Sequence, residues 1–167
     1  MKKTLIILLC ALLISFTTSF AQITSGAYQV MLNTIYKKDV PLVSCEDASQ
    51  MTDALFLDAR AYEEFKISHI AKARWVGYEE FTMDKVKDIA KNTPIVIYCS
   101  VGVRSERVGK KLLDAGFTNV QNLYGSLFEW VNQDYPIVDM KGRPTQKVHA
   151  YSRGWGIWLN KGEKVFQ

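Results

Sequence analysis

One stretch, residues 94–116, constrains the fold more than any other part of this chain of 167 residues. It begins with Pro94, and the unbroken apolar run Ile95–Tyr98 that follows is typical of a strand buried on both faces of a parallel sheet. A short loop containing glycine comes next, and apolar residues at helical spacing then continue until Gly116. The stretch therefore predicts a strand, a tight loop and a helix, with Cys99 at the end of the strand.

The loop after Cys99 is suited to holding an anionic sulfur. In a tight strand-to-helix loop, backbone N–H groups and the positive end of the helix dipole point towards the side chain at the strand end. Such surroundings lower the pKa of a thiol and favour the thiolate, which is the reactive form. We therefore expect Cys99 to be a catalytic nucleophile; the alternative is a small buried cysteine that only packs. The candidate substrate-binding residues follow it directly: Ser100, Val101, Gly102, Val103, Arg104 and Ser105.

The N-terminal segment, residues 1–21, predicts a signal peptide. Two lysines precede an apolar run over residues 5–14, and Ser19 and Ala21 are small residues at the positions that a signal peptidase reads. The apolar run is too short for a membrane-spanning helix. We therefore expect cleavage after Ala21, export to the periplasm or secretion, and no membrane attachment afterwards. A short membrane anchor that is retained is the alternative.

Charge and cysteine content limit the classes of partner and scaffold. The formal net charge is +4, and two of the positive charges lie in the predicted signal peptide, so no basic block indicates nucleic-acid binding. The rest of the chain has two cysteines, Cys45 and Cys99, which are too few for a disulfide-built scaffold. We expect Cys45 to begin a helix capped by Ser44, and a role as the resolving partner of Cys99 is the alternative. No cofactor or metal is expected.

Strands and helices alternate along the rest of the chain. Besides residues 95–98, short apolar segments predict strands at residues 40–43, 54–58, 75–76 and 120–123. Helices are predicted at residues 27–36, 44–51, 62–67, 81–90, 104–113 and 126–132. We expect Ser126 to cap the last helix. The alternation predicts an open, mainly parallel five-stranded α/β sheet flanked by helices, with the first strand at an edge and a ligand site at the carboxyl ends of the strands, where Cys99 lies.

Three groups of residues together resemble the rhodanese-like domain family over most of residues 40–138. They are residues 56–60 with 64–65 and 69–70, residues 95–99 with Gly102, Arg104 and Ser105, and residues 116–117 with Val120, Leu123, Gly125 and Trp130. The pattern departs from the family at Ser68 and Ser126, which stand where glycines are usual, and we expect neither residue to contact the loop. We therefore divide the chain into a signal peptide (1–21), an N-terminal helix (22–39), a rhodanese-like domain (40–139) and a C-terminal extension (140–167).

The resemblance implies sulfur transfer. In this activity the Cys99 thiolate takes a sulfane sulfur from a small donor such as thiosulfate or a persulfide, holds it as a persulfide, and passes it to a thiol or a cyanide-like acceptor. A protein is a further candidate partner. Arg104 is expected either to pair with an anionic donor or to brace the loop. Two alternatives remain, a non-catalytic binding or sulfur-carrier module and a Cys-based phosphatase or arsenate reductase. Four residues separate Cys99 from Arg104, where related phosphatases have five, which disfavours phosphate.

Asp58, Arg60 and His69 are further candidates. Asp58 and Arg60 lie at the end of the strand at residues 54–58, on the same side as Cys99 if the sheet is parallel, and His69 follows the short helix at residues 62–67. Arg60 is a candidate for steering an anionic donor, and the alternative is a pair with Asp58 that orders the loop. His69 is a candidate base for Cys99. The alternative, which the sequence favours, is that His69 bonds to backbone in the turn after the short helix.

Aromatic residues mark the extension, residues 140–167. Tyr151, Trp155 and Trp158 have helical spacing, but two glycines among them weaken a helix. We expect this aromatic strip to fold back on the sheet domain. A docking surface for a partner and a wall of the active-site pocket are the alternatives.

Overall fold

The five predicted strands form one parallel sheet. The computed structural model describes residues 25–166, and the predicted signal peptide lies outside the described residues. The strands of the sheet are β1 (Leu42–Val43), β2 (Leu55–Asp58), β3 (Arg74–Trp75), β4 (Ile95–Tyr98) and β5 (Val120–Leu123). Their spatial order is β1-β5-β4-β2-β3, and every pairing is parallel. The predicted α/β class, the five strands and the edge position of β1 are confirmed.

The central strand β4 is buried on both faces. All four of its residues are buried. Val96 and Tyr98 belong to one apolar cluster, whereas Ile95 and Ile97 belong to a second cluster on the opposite face. This division follows from the two-residue period of a strand. The unbroken apolar run in the sequence therefore reflects contact with a core on each side of the sheet.

The described residues contain five α-helices. They are α1 (Gly26–Ile35), α2 (Cys45–Gln50), α3 (Tyr62–Ile67), α4 (Val103–Asp114) and α5 (Ser126–Asn132). The helix α4 packs Val108 and Leu112 in the same cluster as Ile97 of the sheet. It ends as predicted, because Gly116 has φ +88°, a left-handed conformation that commonly follows a helix. In the part of the chain that the structure describes, no helix has both the length and the apolar composition needed to cross a bilayer.

The helix predicted over residues 81–90 is wrong in length and type. The chain forms only a short 3₁₀ helix there, Met83–Val86. The Ile89 N–H then donates to the Val86 carbonyl at 3.1 Å, again joining residues three apart. Val86 and Ile89 are the buried residues of this segment. Because a spacing of three suits the tighter helix, the segment buries both residues without a full α-helix.

The C-terminal extension folds back on the sheet domain, as predicted. The strands in and before it are β6 (Ile137–Val138), β7 (Pro144–Thr145), β8 (Lys147–His149) and β9 (Glu163–Val165). β6 pairs with β7 and β8 pairs with β9. The Trp158 ring stacks on Tyr28 of α1 with centroids 5.4 Å apart, and Leu159 is fully buried. The extension therefore belongs to the same apolar core as α1 and one face of the sheet.

Candidate active site

Cys99 lies in the loop between β4 and α4. The helix begins at Val103, and Gly102 is its N-cap. Gly102 has φ +104°, and a Cβ atom there would lie 1.8 Å from the Tyr36 hydroxyl oxygen. Only glycine therefore fits this turn without displacing its neighbour. The turn brings the Gly102 N–H to 3.1 Å from the Cys99 sulfur, to which it donates.

The surroundings of the sulfur lower the pKa of the Cys99 thiol. Burial raises this pKa, but the positive charge of Arg104, the N–H groups of Ser105 and Gly102 and the Ser105 hydroxyl together outweigh burial. The residue is only 1 % exposed, yet it lines a cavity of about 160 Å³. The surroundings thus favour the thiolate form of Cys99, beside a space that suits a small substrate.

Ser126 holds the backbone of Cys99 and does not cap α5. Its hydroxyl oxygen accepts the Cys99 N–H at 2.8 Å. The N-cap of α5 is Gly125, and Ser126 has the left-handed φ of +57°. The predicted cap is therefore wrong, as is the expectation that Ser126 does not contact the loop. The start of α5 also binds the loop backbone, because the Leu127 N–H donates to the Cys99 carbonyl and the Phe128 N–H to the Ser100 carbonyl.

Arg104 is held by a carboxylate that the sequence analysis did not assign to the site. Its two terminal nitrogens donate to the two oxygens of Glu64 at 2.6 and 2.9 Å, and one also donates to the Ser100 hydroxyl at 3.0 Å. The Ser100 hydroxyl in turn donates to Glu64 at 2.9 Å. Burial raises the pKa of Glu64, but the bonds and charge of Arg104 lower it by a larger amount, so the net shift is downward. Arg104 therefore braces the loop through Glu64 while it also lines the cavity.

Two more buried groups support the loop from outside it. The Tyr36 hydroxyl donates to the Val101 carbonyl at 2.7 Å and accepts the Gly125 N–H at 3.2 Å. The Asn122 side-chain amide donates to the Gly102 carbonyl at 3.0 Å. Neither Tyr36 nor Asn122 was among the predicted site residues. The one sequence signal for either is that Asn122, a polar residue, lies within the predicted strand at residues 120–123, which pairs with the strand before Cys99.

The geometry does not bring Arg60 to the cavity. Its side chain is fully buried and is bonded to both carboxylate oxygens of Asp58, with 2.7 Å between the closest atoms, and to the Ser68 carbonyl. It has no exposed surface with which to meet a donor, so the prediction that Arg60 binds substrate is contradicted. The alternative holds, because Asp58 and Arg60 form a buried pair that orders the segment after β2.

His69 occupies the structural position that the sequence favoured. Its ring nitrogen Nδ1 lies 3.1 Å from the Phe65 carbonyl, and its ring stacks on the Phe65 ring with centroids 4.0 Å apart. The His69 backbone also pairs with Val138. His69 does not line the cavity of Cys99. It joins the end of α3 to the strand β6.

Two aromatic residues of the C-terminal extension wall the cavity. Tyr151 and Trp155 line it together with the loop. The Tyr151 ring lies over the Arg104 guanidinium, 5.0 Å from the ring centroid to the guanidinium carbon. The extension therefore both packs on the sheet domain and forms part of the site, two outcomes that the sequence analysis treated as alternatives.

Cys45 is a buried residue at the start of α2. Ser44 caps this helix through a bond from the Asp47 N–H, as predicted. Burial, followed by the charge of Glu129, raises the pKa of the Cys45 thiol. Cys45 and Cys99 are both free thiols. Within residues 25–166 there is no cluster of three or more histidine, cysteine or carboxylate side chains that could hold a metal ion.

Comparisons with known proteins identify similar domains. Residues 44–133 match the family model described as the Rhodanese-like domain. A tRNA uridine(34) hydroxylase from Hamiltonella defensa is 34% identical over 85 residues, which are 47% of this chain and 24% of the hydroxylase. Rhodanese-like domain-containing protein 17 of Arabidopsis thaliana is 29% identical over 57% of this chain and 70% of its own length.

A solved structure shows the same fold. The crystal structure of a thiosulfate sulfurtransferase from Pseudomonas aeruginosa superposes with a TM-score of 0.58 at 19% sequence identity. The superposition covers 79% of this chain and 26% of that protein. This chain thus spans only about a quarter of the length of the hydroxylase and of the sulfurtransferase.

Proposed function

The chain belongs to the rhodanese-like domain family, and we propose that it is a sulfurtransferase whose nucleophile is Cys99. The Cys99 thiolate attacks the sulfane sulfur of a donor, the S–S bond of the donor breaks, and the bonding electron pair leaves with the rest of the donor. A thiolate or cyanide acceptor then attacks the outer sulfur of the persulfide. The S–S bond of the persulfide breaks, and the Cys99 thiolate is restored.

One observation carries this proposal. The Cys99 sulfur accepts a backbone N–H and lines a cavity of about 160 Å³, and its surroundings lower the pKa of the thiol. Thiolate and persulfide are both anions, and fixed N–H donors with a nearby cation stabilise such anions without reorganisation. Neither step needs an oxidant, a metal or a cofactor, because each step breaks one S–S bond and forms one new bond, S–S with a thiolate or S–C with cyanide.

The bracing of Arg104 favours sulfur transfer over phosphatase chemistry. A phosphatase of this type needs an arginine whose fork is free to bind phosphate oxygens. Here both terminal nitrogens of Arg104 are bonded to Glu64, at 2.6 and 2.9 Å. The loop also has only four residues between Cys99 and Arg104. Both features agree with a cradle for a sulfur atom.

Mass spectrometry of the intact protein tests the proposal directly. After treatment with a sulfane-sulfur donor, we expect the chain to become heavier by one sulfur atom, and cyanide to remove that sulfur as thiocyanate. Cys99→Ser should neither gain the sulfur nor release thiocyanate. Cys45→Ser is the matched control and should behave as wild type, since a serine hydroxyl can also donate to the Tyr124 carbonyl that Cys45 faces.

Three results would contradict the proposal. Sulfur transfer by Cys99→Ser would remove Cys99 from the mechanism. Hydrolysis of a phosphate monoester that depends on Cys99 would favour the phosphatase alternative. A loaded Cys99 whose sulfur passes to neither thiols nor cyanide would favour a sulfur-carrier or binding module.

We also propose that the protein works after export, as residues 1–21 suggest. N-terminal sequencing of the protein from the exported fraction should begin at Gln22. A protein that keeps residues 1–21 in the membrane fraction would support the retained anchor instead.

A further inference from the structure

The cavity beside Cys99 has a wall that the sheet domain alone does not provide. Tyr151 and Trp155 come from the C-terminal extension, and they line the cavity together with Val101 and Val103 of the loop. None of these four side chains is charged. Most of the surface that a substrate would meet is therefore apolar or aromatic.

Arg104 is the only charged side chain, apart from the thiolate itself, among the described residues that line this cavity. Its fork is bonded to Glu64 and Ser100, and the ring of Tyr151 covers its face at 5.0 Å. The Arg104 cation is thus already paired with the Glu64 carboxylate. A doubly charged inorganic anion such as thiosulfate finds no uncompensated cation on this wall.

The two aromatic side chains are held by a folded segment. Tyr151 has the left-handed φ of +62°, which is unfavourable for a residue with a large side chain and must be fixed by its surroundings. The backbone N–H of Tyr151 donates to Nδ1 of the His149 ring at 3.2 Å. The backbone N–H of Trp155 donates to the Ser152 hydroxyl at 3.3 Å. Leu159, in the same segment, is fully buried in the apolar core. The wall is therefore a preformed surface, which favours its use in recognition.

From this wall we infer that the C-terminal extension selects the sulfur donor: the cavity prefers a sulfane sulfur carried by an aromatic organic group to inorganic thiosulfate. The inference rests on the proposed function. With an aryl thiosulfonate, the Cys99 thiolate attacks the terminal sulfur, the S–S bond breaks, and its electron pair leaves with the aryl sulfinate. Thiosulfate reacts by the same step and releases sulfite. The aryl ring packs on Tyr151 and Trp155, a contact that thiosulfate cannot make.

Three donors separate the effect of charge from that of the ring. Benzenethiosulfonate and methanethiosulfonate carry one negative charge and differ in the ring, whereas thiosulfate carries two charges. For wild type we expect kcat/KM for benzenethiosulfonate to exceed that for thiosulfate by about tenfold or more. In Tyr151→Ala and in Trp155→Leu, the ratio of kcat/KM for benzenethiosulfonate to that for methanethiosulfonate should fall about fivefold.

Ile157→Ala is the matched control, because Ile157 lies in the same extension, is 62% exposed and does not line the cavity. It should keep the wild-type ratios. Trp155→Leu keeps apolar packing, and a melting temperature measured for each variant tells whether that variant is folded. Unchanged ratios in folded Tyr151→Ala and Trp155→Leu, or a wild type that prefers thiosulfate, overturn this inference alone. If no donor loads sulfur on Cys99, the proposed function fails and this inference fails with it.

Discussion

At Cys99, burial and the local charges act on the thiol in opposite directions. Burial alone would keep the sulfur protonated, whereas Arg104 and the N–H groups of Ser105 and Gly102 favour the anion and prevail. The balance depends on a single cation, because Arg104 is the one positively charged residue that lines the cavity in the described part of the chain. The reactivity of the sulfur is therefore tied to this arginine.

Removing the charge of Arg104 should raise the pKa of Cys99. In Arg104→Gln, we expect the pH midpoint for alkylation of Cys99 by iodoacetamide to move up by about one unit. At neutral pH, sulfur transfer should fall accordingly, since less thiolate is present. Arg104→Lys keeps the charge and should show a smaller shift. Cys45 serves as an internal reference for alkylation, because burial raises the pKa of its thiol and Arg104→Gln should leave its reactivity unchanged. An unchanged midpoint in Arg104→Gln would show that the backbone N–H groups alone set the pKa.

Glu64 links the same arginine to stability. Burial raises the pKa of Glu64, but its bonds to Arg104 lower it by a larger amount. The pKa of Glu64 in the folded state therefore lies below the ordinary value of 4.5. A carboxylate with a lowered pKa stabilises the folded state above its unfolded pKa, and this stabilisation is lost as pH falls through the folded pKa. Glu64 should therefore stabilise the protein at neutral pH and lose this effect in acid.

Chemical unfolding of Glu64→Gln across pH tests this expectation. At pH 7 the variant should be less stable than wild type by about 2 kcal/mol, since one partner of a buried ion pair is removed. The difference should stay constant down to about pH 4.5 and shrink below it, as Glu64 of wild type becomes neutral. Glu63→Gln is the control, because its side chain is 71% exposed and should contribute little. A difference that persists at low pH would show that packing is lost rather than charge.

At the scale of elements, the loop is fixed by several neighbours at once. β4 and α4 supply the loop itself, α3 supplies Glu64, and the start of α5 holds the Cys99 backbone through Ser126. The residue that follows α1, Tyr36, bonds on one side to the Val101 carbonyl and on the other to the Gly125 N–H. The Tyr36 hydroxyl group thus connects the end of the N-terminal helix to the loop that follows Cys99.

Tyr36→Phe should impair sulfur transfer more than it impairs folding. The change removes two hydrogen bonds and leaves the Val101 carbonyl and the Gly125 N–H without this partner, at a cost of about 1–2 kcal/mol in unfolding free energy. Because one of these bonds holds the loop, we expect kcat/KM to fall about tenfold. Tyr28→Phe is the control, since the Tyr28 hydroxyl bonds only to the Gly125 carbonyl among the contacts described. Equal losses of activity in the two variants would contradict a specific role for Tyr36.

Short-range patterns in the sequence predicted most of these elements, whereas the contacts between residues distant in sequence were not predicted. The strand Ile95–Tyr98 and the helix Tyr62–Ile67 have the predicted bounds, because apolar period and burial specify them locally. The contacts that complete the site join residues far apart in sequence: Glu64 and Arg104 by 40 positions, and Cys99 and Ser126 by 27. No local period encodes such pairs. The pattern of strand, loop and helix indicated Cys99 as the candidate nucleophile, but only the fold shows what surrounds it.

At the scale of the whole molecule, the C-terminal extension and α1 form one body with the sheet domain. Trp158 stacks on Tyr28, and the Asn132 side-chain amide at the end of α5 donates to the Trp158 carbonyl at 2.9 Å. The Asn132 side-chain oxygen accepts the Asn160 N–H at 2.7 Å. Because the extension also carries Tyr151 and Trp155, the docking of residues 140–166 and the shape of the cavity are coupled.

This coupling predicts that the extension unfolds together with the domain. Leu159 is fully buried in the cluster that also holds Tyr28 and Phe128, so Leu159→Ala should lower the free energy of unfolding by about 3 kcal/mol. Urea unfolding followed by tryptophan fluorescence and by far-ultraviolet circular dichroism should give one coincident transition in wild type and variant. Ile157→Ala, at an exposed position, should change stability little. A separate early fluorescence transition would mean that the extension detaches by itself, and the wall of the cavity would then be a movable part of the site.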